Sequence, residues 1–144
     1  MAACVCFCPE RLVPALPQGV IWQPSHGDEK DPWELCAMSA ESAAGLVSRP
    51  LHCGTLLVPE GLYSPLWKAQ QVVSYGLSPR SSLTLSSMGK RDMLCVQRVL
   101  TGSLGKAMEE QELPLPDHWR GFSPADRLLL AGTWLLWTGS VRDN

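Results

Sequence analysis

Asp31-Pro32-Trp33-Glu34-Leu35-Cys36-Ala37-Met38-Ser39-Ala40-Glu41-Ser42-Ala43-Ala44-Gly45 is the stretch on which the fold class turns, because it carries several helix signals at once. Asp31 is a capping residue, Pro32 suits the first helical position, and Glu34 stands three places after the cap. The interior is rich in Ala, with Met38 and Glu41. Gly45 suits a left-handed helix stop, and Pro50 follows shortly after. These signals predict a helix over 32–44.

Outward from it, the same reading gives more helices than strands. A helix over 123–138 is predicted from Ser123 as cap, Pro124 in the first turn and Asp126 completing a capping-box-like start. Its body, Leu128 to Trp137, is apolar almost all round. Asp92 to Thr101 reads as a short helix with Met93, Val96, Val99 and Leu100 on one face. A frayed helix over 104–112 follows, with Glu109, Glu110 and Glu112 at the end where the helix dipole opposes them. Strand signals are weaker. Gly54 to Val58 reads as a short strand, and a small hairpin is expected over 70–87, where Ser82 to Ser86 alternates at period two. Residues 1–30, with prolines at 9, 14, 17 and 24, read as a disordered Pro-rich arm. The expected organisation is therefore a mainly α chain with large irregular portions and no large sheet. The arm is followed by one small, loosely packed helical region over 31–138 and a tail over 139–144.

Composition supports that expectation. The chain has 144 residues, with 12 Gly and 12 Pro. Leu, Ile, Val and Phe together supply about 24%, a little above the ~20% associated with disorder. β-branched residues are few, which argues against a large sheet. Lys, Asn and Ile are scarce, the mark of a GC-rich coding region and of a young or overlapping reading frame. With 12 basic and 14 acidic residues the net charge is −2, so the chain lacks the field that gathers nucleic acid. No run of 18 apolar residues is present, so a conventional membrane span is not expected.

The six cysteines would suit a disulfide framework in a secreted chain. The apolar start from Met1 has no basic lead and stops at Pro9, Glu10 and Arg11. No secretory signal is expected, and free thiols in an intracellular, cytoplasmic setting are. Cys4, Cys6 and Cys8 alternate near the N-terminus and are candidates for acylation. Ala2 stands where N-myristoylation requires Gly, and no second ligand pair accompanies the three thiols, so no metal or other cofactor is expected.

The most specific motif is Arg11-Leu12-Val13-Pro14-Ala15-Leu16-Pro17. A polyproline II helix has three residues per turn, so Val13–Pro14 and Leu16–Pro17 would form successive ridges for aromatic grooves, and Arg11 would reach an acidic pocket. Arg11, Val13, Pro14, Leu16 and Pro17 are thus candidate contacts to an SH3 domain. The apolar run Leu128 to Val141 spans about 21 Å as a helix, short of the ~30 Å hydrocarbon core. Its face of Leu130, Trp134 and Trp137, beside Val141, is a candidate core, partner or interfacial surface.

Catalysis finds no support: His26, His52 and His118 are isolated, and no nucleophile, phosphate-loop or metalloprotease motif occurs. Arg80, Lys90, Arg91 and Arg98 form a small basic patch, read as a solvated face. Ser78-Pro79-Arg80 matches a proline-directed phosphorylation site. The expected function is a non-enzymatic protein-interaction or regulatory protein, with an SH3 domain as candidate partner and an undetermined oligomeric state. The alternatives are a small membrane-associated protein using the helix at 124–138, and a weakly selected reading frame with no defined biochemical activity.

Overall fold

Cys4–Phe7 forms strand β1, and all four of its side chains are buried. In the computed structural model, which describes residues 3–24, 32–88, 91–103 and 105–141, this strand lies inside a sheet. It pairs in parallel with β2 (Val20–Gln23) on one side and with β3 (Trp33–Met38) on the other. β4 (Leu51–Pro59) and β5 (Trp67–Tyr75) continue the parallel run. β6 (Leu83–Met88) meets β5 in parallel at the single pair Tyr75–Leu83. It then pairs antiparallel with β7 (Arg91–Val96), which pairs antiparallel with β10 (Gln111–Pro114). Among the described residues the sheet thus has eight strands in the order β10-β7-β6-β5-β4-β3-β1-β2. A separate ribbon joins β8 (Leu100–Thr101) to β9 (Ala107–Met108).

The mainly α expectation is corrected by this sheet, and so are the disordered arm and the loosely packed helical region. The first half of the predicted 32–44 helix is β3, and only the short helix α1 (Ala40–Ala43) is helical, its first turn capped by Ser39 Oγ accepting from the Ser42 amide at 3.0 Å. Asp31 lies outside the described residues. A parallel strand covered on both faces shows no alternation, so Leu35-Cys36-Ala37-Met38 reads like a buried helix segment. The predicted 92–101 helix is β7 and β8, and the 104–112 segment holds β9 and the start of β10. In β7 the alternation is masked, because Leu94 and Val96 face the core while the outward positions beside them are Met93 and Cys95, and the charges Arg91 and Asp92 stand together at the start of the strand. The 70–87 hairpin is two strands that run parallel, and the antiparallel partner of β6 is β7. The strand predicted over 54–58 lies within β4.

The paucity of β-branched residues did not prevent a sheet because Cys, Ala, Leu, Met and Trp fill it. Both amides of Glu34 and Leu35 donate to the Ala3 carbonyl, at 2.9 and 3.3 Å. Two residues opposing one make a bulge, and the buried set changes face there. Beyond it Leu35 and Ala37 join Cys4, Cys6, Leu57, Val73 and Tyr75 on one face. Trp33, Cys36 and Met38 join Val5, Phe7, Leu56 and Val58 in the core of the other, closed by Ala43, Leu46 and Trp67. Trp67 Nε1 donates to the Leu46 carbonyl at 2.9 Å, which holds the covering loop down. The sheet edges resist further pairing: β2 lies between Pro17 and Pro24, and β10 carries Glu112 and ends in Pro114.

Helix α2 (Pro124–Thr138) covers the first face, and here the sequence reading of 124–138 agrees with the structure. Ser123 Oγ accepts from the Asp126 amide at 3.1 Å, and Gly139 ends the helix with φ +87°. Leu128 to Ala131, Leu135 and Leu136 are buried. Gly132 in mid-helix costs about 1 kcal/mol of helix propensity relative to Ala. Its role is close approach: a Cβ there would lie 2.8 Å from a Leu57 methyl and 2.9 Å from a Leu83 methyl. Leu57 belongs to the parallel strands and Leu83 to the antiparallel ones, so α2 rests on both halves at this point.

Gly132→Val is expected to overpack this contact and to lower stability by roughly 1–3 kcal/mol. A urea midpoint equal to or above that of the parent chain would contradict the close approach.

Candidate functional site

Open α/β sheets bind ligands outside the carboxyl ends of parallel strands, where the chain departs from one strand in opposite directions. Here that point lies between β1 and β3. The chain leaves β1 through Cys8 and Pro9 into a 3-10 helix over Glu10–Ala15, anchored by buried Leu12 and Ala15. This start suits no anion. Pro9 has no amide hydrogen, Glu10 puts a negative charge in the first turn, and the Leu12 amide is taken by the Pro9 carbonyl at 3.1 Å.

Side chains fill the crest instead. Arg11 donates through Nε and Nη2 to the two oxygens of Asp126, both at 3.2 Å. Its Nη2 also reaches Glu41 Oε1 at 3.0 Å. Asp126 is buried while Glu41 is exposed, so Arg11 ties the 3-10 helix to the first turn of α2 on one side and to α1 on the other. Both carboxylates raise the pKa of Arg11, Glu41 first. Buried Tyr75 donates its hydroxyl to the Met38 carbonyl at 2.9 Å, and burial pushes its phenol up. Trp22 Nε1 donates to the Cys8 carbonyl at 2.8 Å, and the Ser42 hydroxyl donates to the Pro24 carbonyl.

Cys4, Cys6 and Cys8 share this face and are fully buried. The Cys6 thiol is pushed up by its hydrogen bond with Cys8 and then by burial. The same bond lowers Cys8, with Arg11 assisting. Burial also raises Cys4. A thiol whose ionisation is eased still needs access to react, and Cys8 has none. The same burial withholds all three from an acyl donor in the folded chain.

The other residues singled out from the sequence are placed as follows. Val13 and Pro14 are exposed, Leu16 is half-buried and Pro17 is buried. Pro14 sits within a 3-10 helix rather than a polyproline II ridge. Leu130 is buried, and Trp134 and Trp137 pack half-buried against the core. Trp134 Nε1 donates to the Ala15 carbonyl at 2.7 Å, so this face holds down the N-terminal segment. No helix among the described residues is long and apolar enough to cross a membrane. His26 and Lys90 lie outside the described residues.

Two clefts and one patch have no counterpart in the sequence reading. A groove of about 770 Å³ runs between β9, β10 and the end of α2, with Met108, Leu113 and Val141 among its lining. A second, of about 500 Å³, is lined by Glu34, Thr55, Gln70 and Gln71 among others. The β8–β9 ribbon separates them. Gln71 pins it by accepting from the Thr101 amide and donating to the Thr101 carbonyl, each at 2.9 Å. Ser103 pins it to α2 through the Leu136 and Trp137 carbonyls, both at 2.8 Å.

The patch comprises Val47, Leu62, Tyr63 and Leu66, which are 37–74% exposed. The two loops carrying it are fastened where Ser64 Oγ donates to the Val47 carbonyl at 2.6 Å. The signal for it was present in Leu62-Tyr63-Ser64-Pro65-Leu66, an apolar loop where polar residues are the rule. Comparison with protein-family models, curated proteins and solved structures gave no match.

Two outcomes test this description. Arg11→Ala, which strands the buried Asp126 carboxylate, should lower the urea midpoint more than Glu41→Ala does, and the reverse order would contradict the clamp. A thiol reagent should modify half-exposed Cys95 first, and the other five cysteines should react at the rate of unfolding. Rapid native labelling of Cys4, Cys6 or Cys8 would contradict their burial.

Proposed function

We propose that this chain is a non-enzymatic protein-interaction or regulatory protein that engages a protein partner through the Val47, Leu62, Tyr63 and Leu66 patch. The patch is the observation that carries the reading. Four exposed apolar side chains are carried on two loops that Ser64 fastens together, and Tyr63, at 74% exposed, is of the residue type that dominates interface energetics. The filled crest of the parallel strands supports a role other than catalysis. The net charge of −2 favours a protein partner over nucleic acid, and six free thiols fit an intracellular setting.

The Arg11–Pro17 segment is a weaker candidate for the contact. Arg11 is engaged by two carboxylates, and Leu12, Ala15 and Pro17 are buried, so an SH3 domain would have to unwind the 3-10 helix. The membrane reading is weakened in the same way, because α2 spends its apolar side chains on the core.

Proximity labelling in cells that express the parent chain or the Tyr63→Glu/Leu66→Glu variant tests the proposal. A defined set of neighbours should be lost in the variant at equal expression and unchanged thermal midpoint. An identical set of neighbours for both chains would overturn it.

A further inference from the structure

The chain contains three Ser-Pro pairs, at Ser64, Ser78 and Ser123, and the fold treats them differently. Ser64 is fully buried; its hydroxyl donates to the Val47 carbonyl and accepts from the Leu66 amide at 3.2 Å. Ser123 is exposed, but its oxygen caps α2 and Pro124 opens the helix. Ser78 lies in the turn-rich connection 76–82, outside any strand or helix. Pro79 and Arg80 beside it are exposed, and Leu77 is 69% exposed.

We propose that Ser78 is a phosphorylation site for a proline-directed serine kinase, and that the fold withholds the other two Ser-Pro pairs from the same enzyme. Such a kinase must hold serine and proline in an extended segment. At Ser64 that requires pulling the patch loop out of its packing. At Ser123 it requires unwinding the first turn of α2, with loss of the cap and of the Arg11–Asp126 contact. At half-buried Ser78 it requires opening only a surface turn, held by the Ser81 amide on the Ser78 carbonyl at 3.0 Å, by Gln97, and by the Arg80 amide donating to the Ser78 hydroxyl at 3.1 Å, with no helix or strand to unpick.

The product is also accommodated. In the transfer, the bond from the γ-phosphorus of ATP to its bridging oxygen breaks and a bond to Ser78 Oγ forms. The hydroxyl proton passes to the kinase's base and ADP leaves. The new dianion stands beside Arg80, and Arg98 reaches the same turn, donating through Nη2 to the Arg80 carbonyl at 2.7 Å. Both arginines are thus carried on or against the turn that would bear the phosphate, where a guanidinium can form charge-assisted bonds to it. The turn keeps its frame because Gln97 Nε2 donates to the Ser81 carbonyl at 2.6 Å and approaches that of Ser78 at 3.4 Å. The site abuts the Tyr75–Leu83 pair, the one place where β5 and β6 meet.

The folded full-length chain, incubated with a purified proline-directed kinase and magnesium ATP, should take one phosphate, located at Ser78 by mass spectrometry. Ser78 should exceed Ser64 and Ser123 by at least about tenfold, the penalty for opening a capped or buried segment. Ser78→Ala should abolish the incorporation. In a tryptic digest of the same chain, Ser64 and Ser123 should become substrates, which separates protection by the fold from poor local sequence. Absence of phosphate on Ser78 in the folded chain overturns the proposal. Equal or greater labelling of Ser123 or Ser64 in the folded chain, or their failure to react after digestion, overturns the protection by the fold.

Discussion

Helix α2 packs across the seam between two kinds of sheet and holds the two halves of the fold together. β5 and β6 share one residue pair, so the backbone ladder alone joins the parallel and antiparallel halves weakly. The helix supplies the missing union. Gly132 lets it settle onto Leu57 of one half and Leu83 of the other, and a run of buried leucines extends the contact on both sides. Small residues facing the helix, Cys4, Cys6 and Ala37, belong to the same arrangement, since larger side chains there would hold the helix off the sheet.

The N-terminal segment is drawn in by the same helix. β1 lies between β2 and β3 with both faces buried, and the 3-10 helix after it is held by Arg11 on Asp126 and by Trp134 on Ala15. A crest that in many parallel sheets stays open for a ligand is here used to join the two ends of the chain. Side chains that elsewhere would be free for chemistry, an arginine, a tyrosine and a cysteine pair, serve the junction. The loops over the opposite face and the turn at the seam lie away from this junction.

Much of this was legible in the residues, though not the part that mattered most for fold class. Ser123-Pro124 and Gly139 marked α2 correctly, because caps act locally and do not depend on what the helix packs against. The cap signals at 31–34 pointed the wrong way, because Trp33 to Met38 is covered on both faces and tertiary burial overrode local preference. Cys4-Val5-Cys6-Phe7 was read for its thiols rather than as a strand, although four consecutive apolar residues before a proline also fit a buried strand. Arg11 was singled out for its charge beside two prolines. Its actual partners, Glu41 and Asp126, lie 30 and 115 residues away, which no local pattern reveals. The apolar loop at Leu62 to Leu66 was not singled out, and its Tyr63 gains meaning only with Val47, which the fold brings to the neighbouring Ser64.

Native-state hydrogen exchange of the β1 amides shows whether the N-terminal strand and α2 belong to one cooperative unit. Val5, Cys6 and Phe7 should exchange with the same opening free energy as Leu129 to Leu135 of α2, at the level of global unfolding. Exchange of the β1 amides at rates near those of an unstructured peptide, with α2 still protected, would contradict it.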